Sequence, residues 1–460
     1  MGISANLFHN PENRENSLSY RVRPSDEQVE EQRERWNDLA EVIKEDLSTI
    51  TGRPVSSWLQ GSYKFGTQIR PAQLGEEFDI DLGVYVEWPG SAEAGDFQAK
   101  QLKDWVQGIL ADYQSDDGND ATAVDDPKAR CNRIRFENDF HIDVPSYHLD
   151  RGGDQRDLAT ETDEWEESDP KAIYVWWKEQ YEGSQRDRAR RLTRYLKMWA
   201  ALNIDANARP SSIMLTVLVV NALKEIDTEK VSGDDEFFGA VVGSIHKAAA
   251  SSATVLNPVN KDEDLNRLSS EDFQGFKSEL SNLRGIALRA LAASDEYESA
   301  DIWSEAFKHF FPLPEAEALS KMMDGQAGTV AVVQYNPDVQ VVATNGSRRW
   351  TGMNSIGVIP KGCDLKFEVV NEANFPAGAT VSWMARNEGA EAEAMNDLGH
   401  IGGVGLTKEE STAYRGTHNM DVVVKLNGKI IGRRRVPVKV SGLGIPRRNP
   451  NRPGWTKLRG

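Results

Sequence analysis

The chain has 460 residues, of which 39% are hydrophobic and 27% charged, enough for two or three globular domains. Its formal net charge of −18 argues against a protein whose main task is to grip duplex nucleic acid, because such binding is dominated by Lys and Arg on phosphates; small nucleotides remain open as substrates. No apolar run approaches a membrane span, and the first residues lack the basic-then-apolar order of a secretory signal. Cys131 and Cys363 stand too far apart in sequence for a zinc spacing or a disulfide framework, so a cytoplasmic protein is expected.

In chain order, residues 26–48 read as a helix, with Val29, Trp36, Leu39, Ile43 and Leu47 at helical spacing behind Pro24-Ser25. Residues 55–60 read as a short strand running into a Gly61-Ser62 turn. Residues 78–87 read as a strand on which Asp79 and Asp81 share one face while Ile80 and Leu82 share the other. A second helix is expected over 97–113. The acidic, turn-rich stretch 115–126 reads as a solvated loop, and residues 131–147 as a hairpin turning at Asn138-Asp139. In its second strand Phe140, Ile142 and Val144 lie on one face and His141, Asp143 and Pro145 on the other.

Residues 154–173 read as a surface crossover, with a helix beginning near Asp169-Pro170. Two helices follow within 185–225. The first carries Leu192, Tyr195, Leu196 and Trp199 as an apolar stripe with Lys197 beside it; the second opens at Pro210-Ser211-Ser212. Further helices are expected over 237–250, 270–293 and 298–310. From about residue 329 the period changes to short β-prone runs separated by Asn-Pro, Asn-Gly and Pro-Ala-Gly turns, the pattern of an immunoglobulin-like β-sandwich with Trp383 in its core. Residues 443–460 form a basic, Gly- and Pro-rich tail expected to be disordered.

The chemistry concentrates between Trp58 and Trp88. Two carboxylates side by side repel and are costly to bury, and a hard divalent cation removes that cost. The Gly61-Ser62 turn offers backbone N–H groups and a hydroxyl to a phosphate. If the strand at 140–144 lies beside that at 78–87, Asp143 becomes a third carboxylate of the same site.

A Gly-Ser followed by an Asp-x-Asp strand resembles the DNA polymerase β-like nucleotidyltransferase superfamily. Over the first 320 residues, the ordered segments LQGSYKFGTQIRP, EFDIDLGVYV, FHIDVPSY, LTRYLKMW and RPSSIML resemble the CD-NTases, the cGAS/DncV-like nucleotidyltransferases of CBASS anti-phage defence. The segments VSWMARNEGAEA, DLGH and ESTAYRGTHNMDVVVKLNGKIIGRRRVPVKV are similar to the AGS-C/SMODS-type sensor domain that often follows such enzymes.

The resemblance implies an α+β fold. A nucleotidyltransferase core occupies 1–184, a helical domain 185–325, a sensor-like β-sandwich 326–442 and the tail 443–460. It implies that Asp79, Asp81 and Asp143 hold two Mg²⁺, with Mn²⁺ able to substitute, and carry catalysis. Gln60, Gly61, Ser62, Lys197 and Ser211 or Ser212 would contact the nucleotide. Where many relatives show Asp-Leu-Arg-Gly in the sensor domain, this chain has Asp397-Leu398-Gly399-His400.

The implied function is synthesis of a cyclic di- or trinucleotide messenger from nucleoside triphosphates, read by a downstream effector, with no obligatory nucleic acid and no membrane. A linear nucleotidyltransferase acting on a protein, small molecule or RNA end shares the same metal site, and a non-catalytic nucleotide sensor is the third alternative. The exposed C-terminal Gly460 is a candidate for conjugation by a ubiquitin-transfer-like partner.

Overall fold

The structure, a computed structural model, describes residues 2–73, 75–116, 118–137, 140–314, 335–427 and 429–441. The chain forms two compact units, Met1–Phe307 with Phe311–Pro314, and Lys308–Phe310 with Glu315–Gly460. The Asn138-Asp139 turn, the start of the β-prone region at 329–334, and the tail with Gly460 lie outside the described residues.

The first unit opens with two single-turn helices, α1 (Ala5–Phe8) and α2 (Leu18–Arg21). Then α3 (Asp26–Thr51) begins at a complete capping box, in which Ser25 accepts from the Gln28 N–H and the Gln28 side chain accepts from the Ser25 N–H. It ends three residues beyond the expected limit, at Gly52, whose φ of 62° closes the helix in the left-handed region.

A mixed sheet follows. β1 (Val55–Gln60) leads through α4 (Gly61–Phe65) to β2 (Phe78–Glu87), and β1 pairs antiparallel with β2. After α5 (Ala99–Ser115) come β3 (Ala121–Val124), β4 (Asn132–Phe136), β5 (Phe140–Val144), β6 (Ser146–Asp150), β7 (Gln155–Ala159) and β8 (Trp165–Glu167). β4 and β5 make the expected hairpin. β5 and β6 run parallel to β2 in one unbroken register, Phe78 opposite Phe140 and Glu87 opposite Leu149. The Val84 N–H donates across the Pro145 break to the Pro145 carbonyl at 3.0 Å.

Leu39, Ile43 and Leu47 of α3 and Leu102, Val106 and Leu110 of α5 pack on the apolar face of this sheet, against Ile80, Leu82, Ile142 and Val144. Each is at most 1% exposed, so the sheet's carboxylates are left on its other face.

Two segments differ from expectation. The acidic stretch 115–126 contains the edge strand β3, paired with β4, and Asp125 accepts two hydrogen bonds from Arg135. The crossover 154–173 contains β7 and β8, which extend the sheet beyond β6. Their charged residues masked them, because Arg156 is satisfied by Asp154 and Asp169 at 2.8 Å rather than by solvent.

The remaining helices are α6 (Pro170–Gln180), α7 (Gly183–Asn203), α8 (Ser212–Glu225), α9 (Asp234–Ser251), α10 (Ser270–Leu291) and α11 (Glu296–Phe307). Asp169 caps α6, with Pro170 in its first turn. The N-terminal segment is part of this helical body. Phe8, fully buried, sits edge-on to Tyr195, Trp303, Phe307 and Phe311 with ring centroids 4.9 to 6.0 Å apart. Burial of a side chain of this size stabilises by about 1.5–3 kcal/mol.

The second unit contains two β-sheets. β9 (Val339–Asn345), β10 (Arg348–Met353), β12 (Asp364–Val369) and β15 (Thr407–Ser411) form one, in the order β10-β9-β12-β15. β11 (Ile356–Pro360), β13 (Thr380–Glu388), β14 (Gly399–Val404), β16 (Gly416–Leu426) and β17 (Lys429–Ser441) form the other, in the order β11-β17-β16-β13-β14. Pairing is antiparallel except where β11 meets β17.

Val341, Phe367, Trp383, Val422 and Val438 share one core, and Trp383 Nε1 donates to the Gly405 carbonyl at 2.6 Å. The expected sandwich is therefore present, with four further strands (β10, β11, β14, β15). Their exposed, polar or Gly-rich residues carry little apolar alternation. At Gly399, φ is 129° and a Cβ would stand 2.1 Å from the Ala385 carbonyl oxygen, so an Arg could not occupy this position in the present backbone.

Candidate active site

Parallel register builds the site. On β2 and β5, Asp79 stands opposite His141 and Asp81 opposite Asp143, and the antiparallel β1 sets Gln60 opposite Asp81. Ligand atoms of Asp79, His141 and Asp143 lie within 4.8 Å of one another. Asp81 sits deeper, against Gly61: a Cβ on that glycine would fall 1.9 Å from Asp81 Oδ2. Gly61 has φ of 54°, so the turn depends on glycine for both its backbone and its space.

The carboxylates differ in their partners. Asp143 is held bidentately by Arg133, at 2.5 and 2.8 Å, with Lys128 Nζ at 3.8 Å. Asp79 Oδ1 meets His141 Nε2 at 3.0 Å, and His141 Nδ1 meets Glu77 Oε2 at 2.7 Å. Burial works to raise the Asp79 carboxyl, but the His141 hydrogen bond and nearby Arg133 and Lys197 outweigh it and hold it below the usual range. Among the described residues no such partner reaches Asp81. Burial first, then the charges of Asp79 and Asp143, push its carboxyl well above the usual range.

Lys197 of α7 is 6% exposed and donates from Nζ to the Thr67 carbonyl at 3.0 Å. Burial lowers its ammonium to about 8, opposed by Asp79 and Asp81.

Two adjoining cavities meet at Ser62, Asp79 and Ser212. One, of about 400 Å³, extends past His141, Arg133 and Lys197 toward Arg209. The other, of about 300 Å³, is walled by Phe65, Ile173 and Ile213 and contains Gly61, Asp81 and Ser211. Ser211 caps α8 by accepting from the Met214 N–H at 3.3 Å. Gln60 lines the second cavity, yet its amide is engaged behind it, donating to Tyr85 Oη at 2.8 Å and accepting from Tyr147 Oη at 3.2 Å.

Of the candidate site residues singled out in the sequence, Gln60, Gly61, Ser62, Asp79, Asp81, Lys197, Ser211 and Ser212 line this pair of cavities, while Asp143 lines neither and stands close to Asp79 and opposite Asp81. The sequence reading passed over His141, Glu77, Arg133 and Gln68, which hold the carboxylate strands; Gln68 Nε2 donates to the Asp79 carbonyl at 3.0 Å. His141 was findable, two residues from Asp143 on the same strand face. Three converging carboxylates, one of them half-buried beside two like charges and relieved only through space by Lys197 and Arg133, suit a hard divalent cation with oxygen ligands.

Residues 55–147 match the family described as "Cyclic GMP-AMP synthase DncV-like, nucleotidyltransferase domain". Residues 316–441 match the "Adenylyl/Guanylyl and SMODS C-terminal sensor domain". A cyclic GMP-AMP synthase of Escherichia albertii is 29% identical over 452 residues, covering 96% of this chain and 98% of the relative. The Vibrio cholerae DncV cyclic AMP-GMP synthase, solved with the linear intermediate 5′ pppA(3′,5′)pG, shares the fold at a TM-score of 0.55 and 19% identity, over 69% of this chain and 97% of that one. Escherichia coli DncV bound to 3′-deoxy GTP gives a TM-score of 0.55 at 19% identity, over 67% and 96%. Residues 55–147 thus carry a match to a DncV-like nucleotidyltransferase domain and residues 316–441 a match to an AGS-C sensor domain, and the chain is similar along nearly its whole length to a cyclic GMP-AMP synthase.

Proposed function

We propose that this protein is a Mg²⁺-dependent cyclic oligonucleotide synthase that makes a cyclic di- or trinucleotide from nucleoside triphosphates for anti-phage (CBASS) signalling. The observation that carries this reading is the convergence of Asp79, Asp81 and Asp143 beside two adjoining cavities that share Ser62 and Asp79, one of them also lined by Lys197 and the other by Asp81. One cavity suits a donor triphosphate and the other an acceptor nucleoside, and the E. albertii relative, similar along nearly its whole length, is named a cyclic GMP-AMP synthase.

In this reading Asp79, Asp81 and Asp143 hold two divalent cations, whose chemistry is to neutralise the triphosphate and lower the pKa of the attacking hydroxyl. Gly61 and Ser62 hold the donor phosphates, with Lys197 and the hydroxyl of Ser211 or Ser212 on their far side. Phe65, Ile173 and Ile213 give the donor base an apolar slot. A ribose hydroxyl of the acceptor, losing its proton toward Asp143, attacks the α-phosphorus; the new O–P bond forms as the bond to pyrophosphate breaks. A second transfer of the same kind closes a dinucleotide ring, and a third a trinucleotide ring. Most of the acceleration is orientation and charge stabilisation.

The division of residues 1–325 into a catalytic core (1–184) and a helical domain (185–325) belongs to the same proposal, as does conjugation of Gly460 by a ubiquitin-transfer-like partner. Intact mass of the C-terminal peptide with and without that partner tests the latter, and no adduct ends it.

The decisive experiment for the activity is mass spectrometry of products from mixed triphosphates and Mg²⁺, with no acceptor added. A phosphatase-resistant cyclic nucleotide is expected. Only linear, phosphatase-sensitive products, or none with well-folded protein, would overturn the assignment. A cyclic product persisting in Asp79→Ala/Asp81→Ala would overturn the catalytic site.

A further inference from the structure

Behind the Gly61-Ser62 turn lies another cavity, of about 670 Å³, lined by neither the three carboxylates nor Lys197. Five arginines converge on it: Arg14 and Arg23 from the N-terminal segment, and Arg190, Arg191 and Arg194 from α7. Three carboxylates reach them. Asp26 pairs with Arg14 at 3.2 Å and Arg23 at 2.9 Å, Asp187 with Arg190 at 3.1 Å, and Asp234 with Arg191 at 2.6 Å. Two positive charges remain in excess, in a chain whose net charge is −18.

Arg194 has no carboxylate partner among the described residues. Its Nη1 donates to the Gly66 carbonyl, and its Nε is buried without any partner. Burial lowers its guanidinium to about 10; Tyr195 opposes this, while Arg23, Arg191 and Arg190 add to it. A half-buried cation with a shielded Nε gains from an incoming anion, and guanidinium forks match phosphate oxygens two at a time. The cavity also has the size of a small-molecule site.

The same arginines hold the end of the catalytic turn. Arg190 Nε donates to the Phe65 carbonyl at 3.1 Å and Arg194 to that of Gly66, so the last residue of α4 and its cap are tied to α7. Gln68 lines both this cavity and the one beside His141.

We propose that this cavity is a second anion site, taking a small polyanion of the polyphosphate class, and that its occupant draws Arg190 and Arg194 from the α4 carbonyls and so loosens the Gly61-Ser62 turn. The ligand is either a bare phosphate chain or a nucleoside polyphosphate whose base lies against Tyr63.

The test is calorimetric titration of the full chain with inorganic tripolyphosphate in EDTA, where the active site lacks its cations. Binding is expected to weaken about tenfold in Arg23→Gln/Arg194→Gln and to stay within about twofold in Ser62→Ala/Lys197→Met. Arg14→Gln guards against a folding artefact: its side chain is 59% exposed, and it should give a smaller loss with unchanged melting temperature. Amide hydrogen exchange over residues 61–68 should rise on tripolyphosphate binding in wild type and not in the double arginine variant. ATP or GTP binding more tightly than tripolyphosphate in the Ser62→Ala/Lys197→Met background assigns a nucleoside polyphosphate; equal affinity assigns the bare chain. No binding at millimolar tripolyphosphate, binding insensitive to the arginine substitutions, or binding abolished by the active-site pair would overturn the proposal.

Discussion

Gly61→Ala tests the geometry of the catalytic turn more sharply than removal of a carboxylate. The added methyl meets two obstacles. At φ of 54° an L-residue is strained by roughly 1–2 kcal/mol. Its Cβ would also fall 1.9 Å from Asp81 Oδ2 and 2.9 Å from its Cγ, so the carboxylate must retreat by roughly 1.5 Å to reach ordinary van der Waals contact. The backbone strain is affordable within the ~5–15 kcal/mol stability of a folded domain, so the variant should remain folded. The displacement is not tolerable for catalysis, because a misplacement of about 1 Å commonly costs about 10²-fold, close to 2.7 kcal/mol of transition-state stabilisation. Product formation from α-labelled triphosphates, separated by thin-layer chromatography, should therefore fall at least about a hundredfold at saturating substrate, while the urea midpoint shifts only modestly. Turnover near wild type would refute the packing of Gly61 against Asp81. A collapse of the fold would show that the strain, not the displacement, dominates.

Asp81→Asn removes one of three converging negative charges, so it should abolish product while keeping or raising the melting temperature in EDTA, and it should lose the stabilisation that Mg²⁺ gives wild type. A large drop in the metal-free melting temperature would contradict the repulsion. Lys197→Met removes a buried charge but keeps the chain's length; kcat/KM for triphosphate should fall about 10²-fold with no loss of thermal stability, and an unchanged kcat/KM would remove Lys197 from the phosphate side. In the second unit Asp421 is 6% exposed between Arg386 and Arg435, and Asp421→Ala should cost about 3–5 kcal/mol, read as an earlier calorimetric transition for that unit. Burial works to raise the Asp421 carboxyl, but Arg435 and Arg386 outweigh it and hold it below its ordinary value of 3.8. Its contribution is therefore full above that pH and lost as the pH falls below it; urea melts of wild type and Asp421→Asn should converge in acid, and a constant difference down to pH 3 would contradict the pairing.

Local signals in the sequence were enough for most elements. The capped start of α3, the Asp169-Pro170 start of α6, the Ser211 start of α8 and the two-residue alternation of β2 are each written within a few neighbouring residues, and the expected positions agree with the structure to within a few residues. The strands that escaped notice, β3, β7, β8, β10, β11, β14 and β15, are short, charged, exposed or Gly-rich. Pairing with a strand elsewhere in the chain defines them, and nothing in their own composition does.

The site divides in the same way. The sequence by itself determined that Asp79 and Asp81 share a face, that Asp143 sits on a strand of matching pattern, and that Gly61-Ser62, Lys197 and Ser211 are spaced as in a known family. Only the tertiary structure decided that β2 and β5 lie parallel in the register that sets Asp143 beside Asp81. It alone gave Asp79 a histidine, gave Asp143 an arginine and left Asp81 with neither. It also brought Arg14 and Arg23 to Arg190, Arg191 and Arg194 across most of the first unit's sequence. The physical reason is that side-chain direction along a strand or helix follows from local geometry, whereas the partner of a buried charge is set by the register of segments far apart in the chain, which local periodicity does not encode.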